Sequence, residues 1–293
     1  MRNAASHIST ALIEAGKASA REMELADIHE ITGHTNHVFD VRVASGRYAV
    51  KLRRGPRESR DFQSEQMATY SSWRLGIGPE PVWSSPEGDT MVTRWIAESR
   101  PLETGDFGIA STNITRAAAL LKTFHSGAET LLTRIQPGVV IARLVVEHQQ
   151  RLPECWRDIA GPVKAAQKSL GRDQQLVPSH GDPSPQNFLA TKDRLYLIDW
   201  EYAGMAPAAV DLGYLAVEAD LDLASQLPLL IDGYDDPSVT IRSVLEAMLL
   251  AGVMNALWFT KGSDESPGSK PARTLIQRWS ANLRVAKALQ RLI

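Results

Sequence analysis

The residues that could do chemistry are concentrated in two short segments. The first is Ser179-His-Gly-Asp-Pro-Ser-Pro-Gln-Asn187 and the second is Ile198-Asp-Trp-Glu201. Asp182 and Asn187 are five residues apart in one loop, and Asp199 follows Asn187 by twelve, at the end of a short strand pattern. Three oxygen donors so spaced suit a hard cation such as Mg²⁺, which keeps waters and substrate phosphates among its ligands. Asp182, directly after Gly181, is placed to accept a hydroxyl proton. Taken singly, Gly-Asp-Pro is an ordinary turn and Asn187 a cap. Together they follow the order of a phosphoryl-transfer site: a catalytic-loop Asp, an Asn five residues on, and a metal-binding Asp after a hairpin.

The elements that must position these residues are legible from periodicity. Val38 to Val43 alternates, a turn follows at Ser45-Gly46, and Arg47 to Leu52 reads as the returning strand of a hairpin. Phe62 to Leu75 has helical spacing and ends at Gly76. Pro79 and Pro81 lie in an extended connection, and residues 90–96 form a third strand pattern. Helices are predicted over 113–126, 139–151, 156–170, 208–227, 239–260 and 271–292, interrupted by the loop and hairpin of 179–200. Residues 1–20 read as a short amphipathic helix and not as a signal peptide. The expected fold is α+β: a β-rich N-terminal lobe, residues 1–97, and a mainly helical C-terminal lobe, residues 98–293, with a cleft between them.

Composition narrows the class. The chain has 293 residues, 43% of them apolar and 23% charged, which is globular. Thirty-four acids against 32 bases leave a net charge of −2, arguing against a nucleic-acid binder. One cysteine excludes an internal disulfide and a cysteine zinc cluster. No uninterrupted apolar run approaches membrane-spanning length, so no membrane span is expected. The expectation is a cytoplasmic protein, monomeric or homodimeric.

His-Gly-Asp-x-x-x-x-Asn followed by Ile-Asp-Trp-Glu resembles the aminoglycoside phosphotransferase and choline kinase superfamily, relatives of the protein kinases. Ile198-Asp-Trp-Glu-Tyr-Ala-Gly204 and Asp211-Leu-Gly-Tyr-Leu-Ala-Val-Glu218 look most like choline and ethanolamine kinases. The resemblance covers roughly residues 30–260. It implies a bilobal protein-kinase-like fold, ATP and Mg²⁺, and a small cationic alcohol as acceptor. Asp182 would then be catalytic, with Asn187 and Asp199 on the metal. Gly33, Thr35 and Asn36, in the Gly-x-Thr-Asn that family members carry before the first hairpin strand, would approach the phosphates with backbone amides. By themselves they read equally as a turn. Lys51 would neutralise phosphates and Glu65, fourteen residues on, would hold it. Arg53 shares Lys51's strand face and is a rival for that role. Arg94 and Ile96 lie where a hinge would bind the adenine edge. His125 and His180 read as structural, and Asp211 as a brace beneath the loop.

Tyr214 and Glu218 share a helix face, which Asp222 is expected to continue. The family's amine-binding carboxylate falls at Glu218. Tyr202 and Trp258 complete the expected acceptor site, Trp258 as an aromatic wall or a core residue, and Glu201, two residues after Asp199, would assist the metal or contact the substrate. Choline kinases usually carry two tryptophans three apart on the late helix; here Asn255 stands in the first place. Thiamine kinases and antibiotic phosphotransferases therefore remain alternatives, as does a non-catalytic nucleotide-binding pseudokinase.

Overall fold

A computed structural model describes residues 2–31, 36–55, 59–108, 112–171, 175–260 and 270–292. Helix α1 (Arg2–Glu14) and the short α2 (Ala20–Glu24) precede a five-stranded antiparallel sheet of β1 (Asp27–Ile31), β2 (Asn36–Val43), β3 (Gly46–Arg53), β4 (Pro81–Ser84) and β5 (Thr90–Arg94), in the order β1-β2-β3-β5-β4. Helix α3 (Ser59–Arg74) lies between β3 and β4 in the chain. The hairpin register pairs Val43 with Gly46, leaving a two-residue turn. Alternation buries Val41, Val50 and Val92 completely on the sheet's inner face, where Ile8, Ala11 and Leu12 of α1 join them in one apolar cluster.

The second cluster is larger. It gathers α4 (Asn113–Gly127), α5 (Pro137–Glu147) and α6 (Trp156–Leu170), and then α7 (Ala209–Glu218), α8 (Leu227–Tyr234), α9 (Ile241–Thr260) and α10 (Lys270–Gln290). Strand β6 (Arg100–Pro101) pairs with the hairpin of β8 (Phe188–Ala190) and β9 (Leu195–Leu197), and β7 (Leu176–Ser179) pairs with β10 (Gly204–Pro207). Ala68 of α3 and Ile77 belong to this second cluster. Ser64 Oγ accepts the backbone N–H groups of Leu132 and Thr133 at 3.1 Å, so α3 is fastened to both halves.

Helix α9 forms the centre of the second half. Its length and composition would suffice to cross a membrane, which counting uninterrupted runs past Arg242 and Glu246 did not indicate, yet 83% of its apolar window is buried inside the chain. Gly213 lets α7 close on it: a Cβ there would sit 2.6 Å from the Ala247 Cβ and the Met248 nitrogen.

Two expectations need correcting. The segment 208–227 is not one helix. α7 stops at Glu218, Asp220 takes a left-handed φ of 49°, and the Asp222 carboxylate accepts the N–H groups of Ala224 and Ser225. Asp222 therefore caps a turn and does not continue the Glu218 face; a short Asp side chain competes with helix by bonding nearby backbone. Pro81–Ser84 is a paired edge strand and not merely a connection.

Candidate active site

The loop that carries Asp182 is suspended from a buried carboxylate. Asp211, in the first turn of α7, is fully buried. Its oxygens accept the N–H of His180 at 2.7 Å and of Gly181 at 2.9 Å, and the Nε2–H of His125 at 3.0 Å. His125 Nδ1 in turn lies 2.9 Å from the Tyr234 hydroxyl, which donates to it. Burial pushes the Asp211 carboxyl up, but the His125 bond and charge and the Gly181 N–H outweigh it, and the net shift is downward. The brace is thus a carboxylate held ionised by three donors.

His180 serves the same loop. Its Nε2 donates to the Ile198 carbonyl at 2.9 Å and its Nδ1 accepts the Asp182 N–H at 3.2 Å. Its ring packs on Trp200, centroids 4.6 Å apart. Burial lowers its pKa, which keeps the imidazole neutral with both nitrogens engaged. Gly181 has φ +84°, and a Cβ there would meet the Tyr202 carbonyl oxygen at 2.4 Å. Only glycine lets the loop pass Tyr202 this closely.

The hairpin brings the metal-type donors together. Phe188 pairs with Leu197, and the Ile198 N–H donates to the Asn187 carbonyl at 2.9 Å. Asn187 and Asp199 therefore flank the open end of β8 and β9. Asn187 Nδ2 donates to the Asp182 carbonyl at 2.8 Å, so a cation here would meet its Oδ1. Asp199 takes a left-handed φ of 65°, and its Oδ1 accepts from Lys51 Nζ at 3.0 Å. One amide oxygen and one carboxylate are hard donors, too few for a protein-only cage but suited to a Mg²⁺ shared with phosphates and water. Among the described residues no group of three or more His, Cys, Asp or Glu could hold a metal.

Lys51 also bonds Glu65, which is buried on α3. Burial alone would lower the Lys51 pKa; Asp199, Glu65 and Glu201 overcome that and hold it above the ordinary lysine value. Arg53 takes the other Glu65 oxygen, so the lysine and its rival share one carboxylate. Asn36 is buried and donates from Nδ2 to Glu201 Oε2 at 2.6 Å, tying the start of β2 to the segment after Asp199. Gly33 and Thr35 lie outside the described residues. The Arg94 side chain pairs with Glu80 at 2.7 Å, and the Ile96 carbonyl accepts from Ser99 Oγ.

On the other side of Asp182 stand Tyr214 and Glu218. Burial first, then Asp199 and Glu218, push the Asp182 carboxyl up to about 8, opposed by a hydrogen bond from Tyr214. Burial, then Asp182 and Glu218, raise the Tyr214 phenol, so it remains a donor. Asn255 Oδ1 lies 3.4 Å from the Tyr214 hydroxyl, whose proton it shares with Asp182, and Asn255 Nδ2 donates to Glu218. Arg278 of α10 lies 3.7 Å from Glu218, with its guanidinium 4.2 Å over the Phe259 ring. Tyr202 and Trp258 are 42% and 53% exposed. Sequence reasoning missed Arg278 and Phe259. Phe259 is four residues after Asn255 on one helix, which was a usable signal; nothing local marks Arg278.

A model of the "Phosphotransferase enzyme family" matches residues 27–242. The chain belongs to that family. This phosphotransferase is 39% identical to Protein LicA of Haemophilus influenzae over 54 residues, 18% of this chain and 16% of that protein. The match thus spans about a sixth of the length of that relative. Among solved structures, a choline/ethanolamine kinase family protein from Mesorhizobium loti superposes with a TM-score of 0.78 at 22% identity, over 99% of this chain and 96% of the other. Choline kinase LicA from Streptococcus pneumoniae superposes with a TM-score of 0.69 at 20% identity, over 88% and 93%. At these identities the structures establish a shared protein-kinase-like fold. Family membership makes this chain a phosphotransferase enzyme.

Proposed function

We propose that this enzyme transfers the γ-phosphate of ATP to the hydroxyl of a small cationic alcohol, choline or ethanolamine first among them. In this reading residues 1–97 form the nucleotide-binding lobe and 98–293 the catalytic and acceptor lobe, and the enzyme works in the cytoplasm, where ATP is made. The observation that carries the reading is the position of Asp182. It is half-buried between an Asn187–Asp199–Lys51 cluster suited to phosphate and metal, and a Tyr214–Glu218 face suited to an amine. The similar choline/ethanolamine kinase family structures support the same reading.

Lys51 holds phosphate oxygens and is itself held by Glu65. Arg53 shares Glu65, and Asn36 approaches the phosphates. The Arg94–Ile96 stretch supplies backbone groups to the base. Asn187 and Asp199 would hold Mg²⁺, which neutralises charge developing between the β- and γ-phosphates when bound. Asp182 orients the acceptor hydroxyl and accepts its proton late, since a loose transition state needs little base strength. Glu218 attracts the ammonium group. Glu201, Tyr202 and Trp258 border the acceptor.

The test is Mg-ATP consumption against choline, ethanolamine, thiamine and several aminoglycosides, with Asp182→Asn as control. Turnover of choline or ethanolamine that falls about 10²–10⁴-fold in the variant, with ATP binding kept, is the expected result. Turnover of thiamine or a sugar alone would refute the choline-type acceptor. Near-normal turnover by Asp182→Asn would remove Asp182 from its role.

A further inference from the structure

Glu218 already faces a cation from within the chain. Arg278 Nη1 lies 3.7 Å from Glu218 Oε1, and its guanidinium plane sits 4.2 Å over the Phe259 ring. A cation pressed between a carboxylate and an aromatic face is the arrangement an alkylammonium ion would need at the same spot. Arg278 Nε is buried without a hydrogen-bond partner among the described residues. Asn255, which stands where a second tryptophan would close an aromatic cage, donates to the same Glu218 oxygen. Through Asn255 and the Tyr214 hydroxyl the pair is linked to Asp182. Glu218 and Arg278 remain about a quarter exposed, 22% and 27%, so the contact can be reached and exchanged.

We infer that Arg278 is an internal cation seated in the ammonium position of the acceptor site, and that it determines acceptor specificity because a cationic acceptor must displace it. The inference rests on the reading that Glu218 is the acceptor's carboxylate. A permanently charged, non-donating ammonium group can compete only through charge and ring contact. An ammonium that donates hydrogen bonds can also engage Glu218 and the Asn255 carbonyl oxygen, so primary-amine alcohols displace Arg278 more readily than quaternary ones. Arg278 faces Glu218 from α10, and no other cation is paired with Glu218 among the described ion pairs.

The test compares wild type with Arg278→Gln and Arg278→Lys, the second guarding against loss of packing in the first. For Arg278→Gln the KM of the cationic acceptor should fall tenfold or more, with kcat and the KM for ATP within twofold. Arg278→Lys, which keeps the charge, should stay near wild type. An unchanged acceptor KM in Arg278→Gln overturns the inference. A raised KM overturns it too, and would mean that Arg278 binds an anionic part of the acceptor. A second arm needs no acceptor: calorimetric titration with millimolar guanidinium chloride. Binding to Arg278→Gln, absent from wild type and from Arg278→Gln/Glu218→Gln, supports the displaced-cation site even if every tested alcohol fails as substrate. Equal, absent or Glu218-independent binding overturns it. Failure of the alcohols alone would count against the proposed acceptor and not against Arg278.

Discussion

Asp211→Asn removes one negative charge and one acceptor from the brace beneath the catalytic loop while keeping its shape. In the native site Oδ2 accepts from the His180 N–H and from His125, and Oδ1 accepts from the Gly181 N–H. An asparagine can keep the pair on its oxygen only by turning its NH₂ toward the Gly181 N–H, donor against donor. One charge-assisted bond is then lost, about 1.5–3 kcal/mol, and the remaining two become neutral bonds, each weaker by about 1 kcal/mol. The sum is about 3–5 kcal/mol, a large share of a typical stability of about 5–15 kcal/mol. At about 2–4 °C per kcal/mol for a chain of this order, Tm should fall by about 6–20 °C. The sign with pH is set by the depressed Asp211 pKa: its contribution is present above the unfolded carboxylate value and is lost as pH falls through the folded one. The Tm difference between wild type and variant should therefore be constant above about pH 5 and shrink below about pH 4. Thermal melts followed by circular dichroism from pH 3 to 8 measure both, and Mg-ATP turnover at low temperature reports the displaced Asp182. A Tm within about 2 °C of wild type at pH 7, or a difference that grows toward acid pH, would refute this account of the brace.

Gly181→Ala should fold but lose activity. The added Cβ would meet the Tyr202 carbonyl at 2.4 Å in a left-handed backbone, so the loop must shift at an estimated cost of about 1–3 kcal/mol; a loss in kcat smaller than twofold would contradict the close approach. Glu65→Gln leaves Lys51 and Arg53 without a shared anion. The kcat/KM for ATP should fall about 10–100-fold, with acceptor KM little changed, as steady-state kinetics with each substrate varied would show.

The chemistry-bearing loop was legible because its spacing is local. Asp182, Asn187 and Asp199 lie within eighteen residues, and β8 and β9 between them fold back by a short turn, so the linear pattern already implies the cluster. The β2–β3 hairpin and most long helices were legible for the same reason: alternation and helical spacing are imposed by burial of one face. The edge strand β1 was not, since four of its five residues are exposed and no apolar alternation marks it. The end of α7 was not either, because Asp220 and Asp222 stop a helix only through the turn their backbone and side chains make.

The sequence alone marks the reaction class, the cluster of oxygen donors between 182 and 199 and the departure at Asn255. Only the tertiary structure decides who braces and who neutralises them. Asp211, His125 and Tyr234 are separated by as many as 109 residues, yet they form one hydrogen-bonded line because α4, α7 and α8 pack together. Arg278 reaches Glu218 across sixty residues of chain because α10 packs against α9. Such contacts arise from the burial of whole helix faces, and hydrophobic burial is non-directional. It selects which elements meet, and that meeting then determines which charges face each other.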